Sequence, residues 1–96
     1  MYARVTIAKS EAAAEESASY IREKILPQAR SLEGFKGILD LMDPETGDGM
    51  TVTLWEEEAA MKASEEAANA MRAGAVRDLG EAIIEVKRFE VNVLEI

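Results

Sequence analysis

Apolar and polar residues alternate along the first stretch of the chain, residues 1–8. One parity carries the apolar side chains Ala3, Val5 and Ile7. A period of two is typical of a β-strand with one well-buried face. Ser10 follows this strand and is predicted to be the N-cap of a helix, because its hydroxyl can accept a hydrogen bond from a backbone N–H in the first turn.

A helical period of three to four residues replaces the alternation over residues 11–31. The apolar stripe of this predicted helix comprises Ala14, Ala18, Ile21, Ile25 and Leu32. Pro27 lies inside the pattern and has no N–H to donate to the carbonyl of Glu23. A kink or a broken last turn is therefore expected there, and Gly34 is predicted to end the region as a C-cap or turn residue.

Two strand-like runs then flank a dense turn segment. The runs are residues 35–42 and 50–55, and residues 43–49 connect them. Pro44 presets φ for a turn, and Gly47 can adopt a positive φ without steric cost. This arrangement predicts a β-hairpin with a long loop.

The last part of the chain predicts a second helix and a final strand. Residues 56–72 have an alanine-rich face, and Gly74 is expected to end this helix before a short turn at residues 75–79. Residues 83–96 read as one long strand whose apolar parity slips near Arg88. A slip of this kind is typical of a β-bulge; the alternative is a strand buried on both faces.

The predicted order of elements is β-α-β-β-α-β, in a single domain over residues 1–96. This is the ferredoxin-like α+β plan, in which a four-stranded antiparallel sheet carries two helices on one face. Several predicted strands are apolar on both faces, and the two helices would cover only one of them. We therefore expect a second copy of the chain to cover the other face.

The amino-acid composition of the chain excludes several kinds of functional site. The chain of 96 residues contains no Cys and no His, which removes thiol nucleophiles, the usual general base near neutral pH and the usual haem ligand. The net charge of −8 repels nucleic acid, and no apolar run approaches the length of a membrane helix. The N-terminus lacks a signal-peptide pattern, so a cytoplasmic location is expected. No metal site and no cofactor are predicted.

The local amino-acid sequence of the chain resembles that of one known family. A helix ending in SLEGFKG is followed by a strand, a turn and a strand ending in TVTLWEEEAA. The resemblance depends on Leu32, Gly34, Phe35, Gly37, Leu54, Trp55 and the helix that begins near Ala59. With these features the chain resembles the antibiotic biosynthesis monooxygenase family of the dimeric α/β barrel superfamily. The resemblance implies a homodimer whose two sheets face each other.

The haem-degrading branch of that family has an Asn in strand one, a second Trp and a His further on. The corresponding positions here look like Ala3, Ser64 and Gly74, so all three depart from that pattern. The resemblance therefore points away from haem degradation. It points instead to the members that oxygenate aromatic compounds without a cofactor, in which the substrate's own carbanion drives the reaction with oxygen.

Four residues are candidates for binding a small aromatic ligand: Trp55, Tyr20, Arg4 and Arg88. Each has a simpler structural interpretation. Trp55 can serve only for packing, Tyr20 can be a half-exposed aromatic, and the two arginines can be countercharges to Asp40 across the sheet. No catalytic residue is assigned from the sequence.

Three functions are compatible with these observations. The first is a cofactor-independent monooxygenase that acts as a homodimer on a small aromatic or quinone-like compound. The alternative is a non-catalytic dimer that binds a small hydrophobic ligand or serves in assembly. A regulatory amino-acid-binding domain of the ACT type shares the element order but usually accompanies a second domain, and it ranks last.

Overall fold

A computed structural model describes all 96 residues, Met1–Ile96. The strands are β1 Tyr2–Lys9, β2 Phe35–Met42, β3 Asp48–Trp55 and β4 Ala82–Glu90. The helices are α1 Ala14–Tyr20, α2 Leu26–Arg30, α3 Glu58–Ala63 and α4 Glu65–Leu79, and a π-helical turn, Ile21–Ile25, joins α1 to α2. The predicted ferredoxin-like plan is thereby confirmed.

The four strands form one antiparallel sheet in the order β2-β3-β1-β4. β1 is central and pairs with β3 over its whole length, from Tyr2 opposite Trp55 to Lys9 opposite Asp48. Because both of its neighbours are distant in sequence, β1 is the strand on which the two halves of the chain meet. β2 and β4 form the edges.

Pro27 produces the predicted irregularity, but without breaking the helical segment. The π-helical turn lies immediately before it, and α2 begins with Pro27 in its first turn. A π turn shifts the hydrogen-bond pattern by one residue, so the N–H that proline lacks and the clash of its ring are accommodated. The segment from α1 to α2 therefore continues along the sheet.

The predicted N-cap is wrong. α1 begins at Ala14, and no side chain caps it. The Ser10 hydroxyl instead accepts a hydrogen bond from the Ala12 N–H at 3.1 Å, and the Ser10 N–H donates to the Gly47 carbonyl at 2.9 Å. Ser10 thus fastens the end of β1 to the hairpin loop, which outweighs its local preference for a helix end.

The predicted end of the second helix is also wrong. α4 runs through Gly74 and ends at Gly80, which has φ +65° and takes the left-handed conformation of a C-cap. A Cβ at position 74 would lie only 3.0 Å from the Tyr20 hydroxyl oxygen. Gly74 therefore permits the close approach of two helical segments, which sequence periodicity does not reveal.

The final strand is shorter than predicted. β4 ends at Glu90, and residues 91–96 lie outside the sheet ladder. The predicted β-bulge exists, but at Ile84: Ile7 pairs with Glu85 and Ala8 with Ile83. Ile84 is the unpaired residue.

The hairpin loop is confirmed. Asp43 accepts backbone hydrogen bonds from Glu45 and Thr46 on its side chain, and its carbonyl accepts one from Gly47. Gly47 has φ +80°, as the predicted turn requires. This loop positions the polar end of β3 beside the end of β1.

The two faces of the sheet differ in chemistry. The face beneath the helices carries mainly polar side chains from the central strands, among them Arg4, Thr6 and Thr53. The opposite parity carries apolar side chains, which include Ala3, Val5, Leu39, Leu41, Val52, Leu54 and Phe89. We call this second surface the open face, because no element of the chain covers it.

Candidate functional site

A cavity of about 100 Å³ lies between the sheet and the helices. Its floor is formed by the sheet face that is polar on β1 and β3, and its roof by the apolar stripe of α1 and α2 together with one side of α4. The lining includes Arg4, Thr6, Ile38, Asp40, Thr51, Thr53 and Trp55 from the strands, Ser17, Ile21, Ile25 and Ala29 from the first helical segment, Met71, Arg72, Ala75 and Leu79 from α4, and Glu81 after it.

Trp55 forms one wall of this cavity. It is 2% exposed, and its ring meets the Phe35 ring edge-on at a centroid distance of 5.5 Å. The indole N–H donates a hydrogen bond to the Thr53 hydroxyl at 3.0 Å. Trp55 is therefore both a packing residue and a cavity residue, and the two interpretations of the sequence are compatible.

Arg4 is a buried cation beside Trp55. It is 3% exposed, and its guanidinium carbon lies 5.5 Å from the centre of the Trp55 ring. The guanidinium donates to the Met61 carbonyl at 2.7 Å and to the Ser64 hydroxyl at 2.9 Å. These bonds tie β1 to the junction of α3 and α4, and they satisfy donors that would be costly to bury unpaired.

Glu65 carries the charge that balances both candidate arginines. Its carboxylate accepts hydrogen bonds from Arg88 at 2.6 Å and from Arg4 at 2.7 Å. The hydrogen bonds from Arg88 and Arg4 lower the pKa of the Glu65 carboxyl to about 2, although partial burial opposes this change. The expected pairing of the arginines with Asp40 is therefore wrong, because the start of α4 brings a carboxylate that is remote in sequence.

Arg88 and Tyr20 lie outside the cavity lining. Arg88 is largely exposed on β4, where it holds Glu65. The Tyr20 hydroxyl donates to Asp78 at 3.0 Å and lies against Gly74 of α4. Burial, together with this bond to Asp78, raises the pKa of the Tyr20 hydroxyl. Of the four predicted ligand-binding residues, the structure brings Trp55 and Arg4 to one cavity and leaves the other two beside it.

The cavity has two charged regions of opposite sign. In the positive region, Arg72 on α4 and Arg4 repel each other. Burial, together with this repulsion, lowers the pKa of the Arg72 guanidinium. Asp40 and Glu81 interact with each other, and burial raises the pKa of both carboxyls. Sequence analysis did not select Arg72 or Glu81 and named Asp40 only as a countercharge.

Ser17 is another cavity residue that sequence analysis did not select. It is buried, and its hydroxyl is the only buried side-chain polar atom in the chain without a hydrogen-bond partner. Its burial could have been predicted from the sequence, because Ser17 lies three residues after Ala14 and four before Ile21 on the apolar stripe. A polar residue on such a stripe is predicted to be buried.

A second hollow of the chain is larger, at about 230 Å³, but no aromatic and no basic side chain lines it. It lies between the turn after α2 and α3, lined by Glu33, Glu56 and Glu57 among small residues. No group of three or more acidic side chains is arranged to hold a metal ion. The helices are too short or too polar for any of them to cross a membrane.

Several solved structures of other proteins have backbones similar to that of this chain. SnoaB from Streptomyces nogalater, a cofactor-independent oxygenase, superposes with a TM-score of 0.71 at 16% identity, over 97% of this chain and 94% of its own. A proposed antibiotic biosynthesis monooxygenase from Deinococcus radiodurans has a TM-score of 0.61 at 17% identity, over 100% and 98%. The fold is that of the antibiotic biosynthesis monooxygenases.

HapK from Hahella chejuensis has a similar fold, with a TM-score of 0.72 at 12% identity over 100% of this chain and 98% of its own. No protein-family model and no curated protein sequence matches this chain. The structural neighbours agree with the resemblance carried by the segment from Leu32 to Trp55. Because their identities are this low, they establish the fold, and the activity has to be argued from the cavity.

Proposed function

We propose that this protein is a cofactor-independent monooxygenase that acts, as a homodimer, on a small aromatic or quinone-like compound. The observation that supports this most is the cavity walled by Trp55 and roofed by apolar helix residues. Reactions of carbanions or enolates with oxygen need a site that excludes water and holds the substrate, and they need few catalytic groups. A cavity with one aromatic wall and two charged regions meets this requirement.

The proposed chemistry balances without a further co-reactant. A ring carbon of a hydroquinone-type substrate gains one oxygen atom from O₂, and the other oxygen leaves as water. For hydroquinone the products are hydroxybenzoquinone and one water for each O₂ consumed. Arg72, which donates a side-chain hydrogen bond only to Asn69, has further N–H groups that can stabilise the enolate oxygen.

The homodimer is proposed from the open face. Leu39, Leu41 and Phe89 are each about half exposed there, at 54%, 47% and 50%, and they adjoin the half-buried Val52 and Leu54. Contiguous apolar surface of this kind is uncommon on monomers. A second copy would cover it with the same surface in a two-fold arrangement.

A non-catalytic ligand-binding or assembly dimer is the second candidate. The observation in its favour is that the Arg4 guanidinium is already neutralised by Glu65 and hydrogen-bonded to Ser64 and Met61. A group held in this way is not free to move protons. The chain also lacks His and Cys.

Oxygen consumption with hydroquinone and with methylhydroquinone, measured with an oxygen electrode, distinguishes the two candidates. The monooxygenase proposal expects turnover above the spontaneous rate and a product that has one more oxygen atom and two fewer hydrogen atoms than the substrate. Trp55→Phe should reduce turnover at least tenfold while the chain stays folded, as checked by circular dichroism. Binding of either compound without turnover would favour the second candidate.

A further inference from the structure

One end of the cavity carries oxygen atoms from three neighbouring strands. Thr6 on β1 pairs with Thr51 on β3, which pairs with Asp40 on β2, so the three side chains form a row across the sheet. The Thr51 hydroxyl donates to the Asp40 carboxylate at 2.7 Å. This bond fixes one carboxylate oxygen and leaves the lone pairs of the other available.

Glu81 adds a second carboxyl to this end. It follows Gly80 at the end of α4 and lines the same cavity as Asp40. Neither carboxyl forms a salt bridge with any lysine or arginine of the chain. Partial burial raises the pKa of each carboxyl, and for Glu81 the nearby Asp40 adds to this effect. Neither carboxyl has a cation as partner; Glu81 is half-buried and Asp40 is exposed at the rim, so both can accept a hydrogen bond from a donor that enters the cavity.

Ser17 is an independent sign that this space is built for a ligand. Its residue is 5% exposed, it lines the cavity, and its hydroxyl has no partner in the protein. A buried hydroxyl without a hydrogen bond costs about 1–3 kcal/mol. An oxygen atom of a ligand in the cavity would accept from it and remove this cost.

The size of the cavity limits the ligand. An apolar cavity of about 150 Å³ is enough to bind benzene. The cavity here is about 100 Å³, and Asp40 at its rim is exposed to solvent. Because this volume is smaller than that of the benzene-binding cavity, we expect at most one aromatic ring, which would lie partly at the open rim beside Asp40.

We propose that Ser17, Asp40 and Glu81 together bind a hydroxyl group of a single-ring aromatic alcohol, whose ring packs between Trp55 and the apolar stripe. The O–H of the ligand donates to a carboxylate, and its oxygen accepts from Ser17. An ammonium group could donate to the carboxylates but has no lone pair to accept from Ser17. This inference rests on the proposed function, since it names the substrate class of that same cavity.

Binding of three probes to the full chain tests the proposal by isothermal titration calorimetry. The probes are hydroquinone, 1,4-dimethoxybenzene, which has no O–H donor, and benzylamine, which has a cationic donor. Hydroquinone should bind at least tenfold more tightly than either of the others. Ser17→Ala should weaken hydroquinone binding about three- to tenfold, and Asp40→Asn or Glu81→Gln about tenfold or more, with little effect on dimethoxybenzene.

Matched variants control for indirect effects. Ser19→Ala changes a serine of the same helix outside the cavity lining, and Glu16→Gln removes an exposed carboxylate; both should bind hydroquinone as the wild type does. The proposal is overturned if hydroquinone does not bind, if dimethoxybenzene or benzylamine binds as tightly, or if Ser17→Ala and both carboxyl variants bind it normally. Selective binding without oxygen consumption would reject the proposed activity and leave this assignment intact.

Discussion

The covered and open faces of the sheet reverse the usual distribution of residue types. Beneath the helices, the central strands present Arg4, Thr6 and Thr53, whereas the open face presents Leu39 and Leu54 with their apolar neighbours. Ordinarily a face packed under helices supplies the apolar core, and an uncovered face is polar.

This reversal teaches that neither face is explained by the stability of a single chain. Polar side chains are costly to bury unless they are paired, and most here are paired: Arg4 with Glu65, Thr51 with Asp40, and Thr53 with Trp55. The groups left over lie around the cavity, which indicates a binding site. The apolar open face is the basis of the proposed homodimer.

Replacing Glu65 by glutamine is expected to have the largest effect on the covered face. Glutamine can still accept a hydrogen bond, but it leaves the 3% exposed Arg4 without the charge of its partly exposed partner. We expect a loss of about 2–3 kcal/mol in the free energy of unfolding at pH 7, measured with urea. Glu66→Gln, on the exposed neighbour, should change stability by less than about 0.5 kcal/mol. Equal stability of the two variants would contradict this role of the ion pair.

Lowering the pH should gradually remove the stabilisation that the Glu65 carboxylate provides. The Glu65 pKa is 4.5 without its partners and about 2 in the folded chain. Its stabilisation is therefore complete above pH 4.5 and is lost as the pH falls through about 2, by at most about 3 kcal/mol. The difference in unfolding free energy between wild type and Glu65→Gln should shrink over this range.

The comparison with Glu65→Gln isolates this titration from two others. The raised pKa values of Asp40 and Glu81 have the opposite sign, because protonation of those carboxyls relieves a cost of burial. Both groups are present in both proteins, so their effects cancel in the difference. A difference that stays constant from pH 7 to pH 2 would rule out the depressed pKa of Glu65.

On the open face, Leu39→Asp should disrupt self-association. Leu39 is 54% exposed in the single chain, so the substitution does not disturb the covered cavity, but a dimer would bury two carboxylates. We expect the dimer to weaken by roughly 30-fold or more, about 2 kcal/mol, in sedimentation velocity. Val76→Asp places the same charge on a 45% exposed apolar site of α4 and should leave association unchanged. A monomeric wild type at micromolar concentration would refute the proposed dimer.

The smallest expected effect concerns the hydrogen bond behind Trp55. Thr53→Val removes the acceptor of the buried indole N–H and should cost about 1 kcal/mol of stability, with a shift of the tryptophan emission maximum. Thr51→Val removes a hydroxyl that bonds the exposed Asp40 and should leave the emission maximum in place. Identical emission spectra for the two variants would show that Thr53 does not hold the indole.

Half of the candidate site could be predicted from the sequence. Trp55 and Arg4 stand out because a large aromatic and a lone cation on predicted strands need an explanation. Ser17 could have been found from its place on the apolar stripe. Glu81 could not, because its position depends on α4 continuing through Gly74 to end at Gly80, and the sequence predicted that the helix ends at Gly74.

By itself, the sequence determined the order of the elements, the hairpin loop and the ferredoxin-like plan. These follow from periodicity and from turn residues, which act over a few neighbouring positions. Only the tertiary structure decided the partner of Arg4, the end of α4 and the meeting of Ser17, Asp40 and Glu81 around one cavity. Each of these depends on contacts between residues far apart in sequence, where packing and charge pairing outweigh local preference.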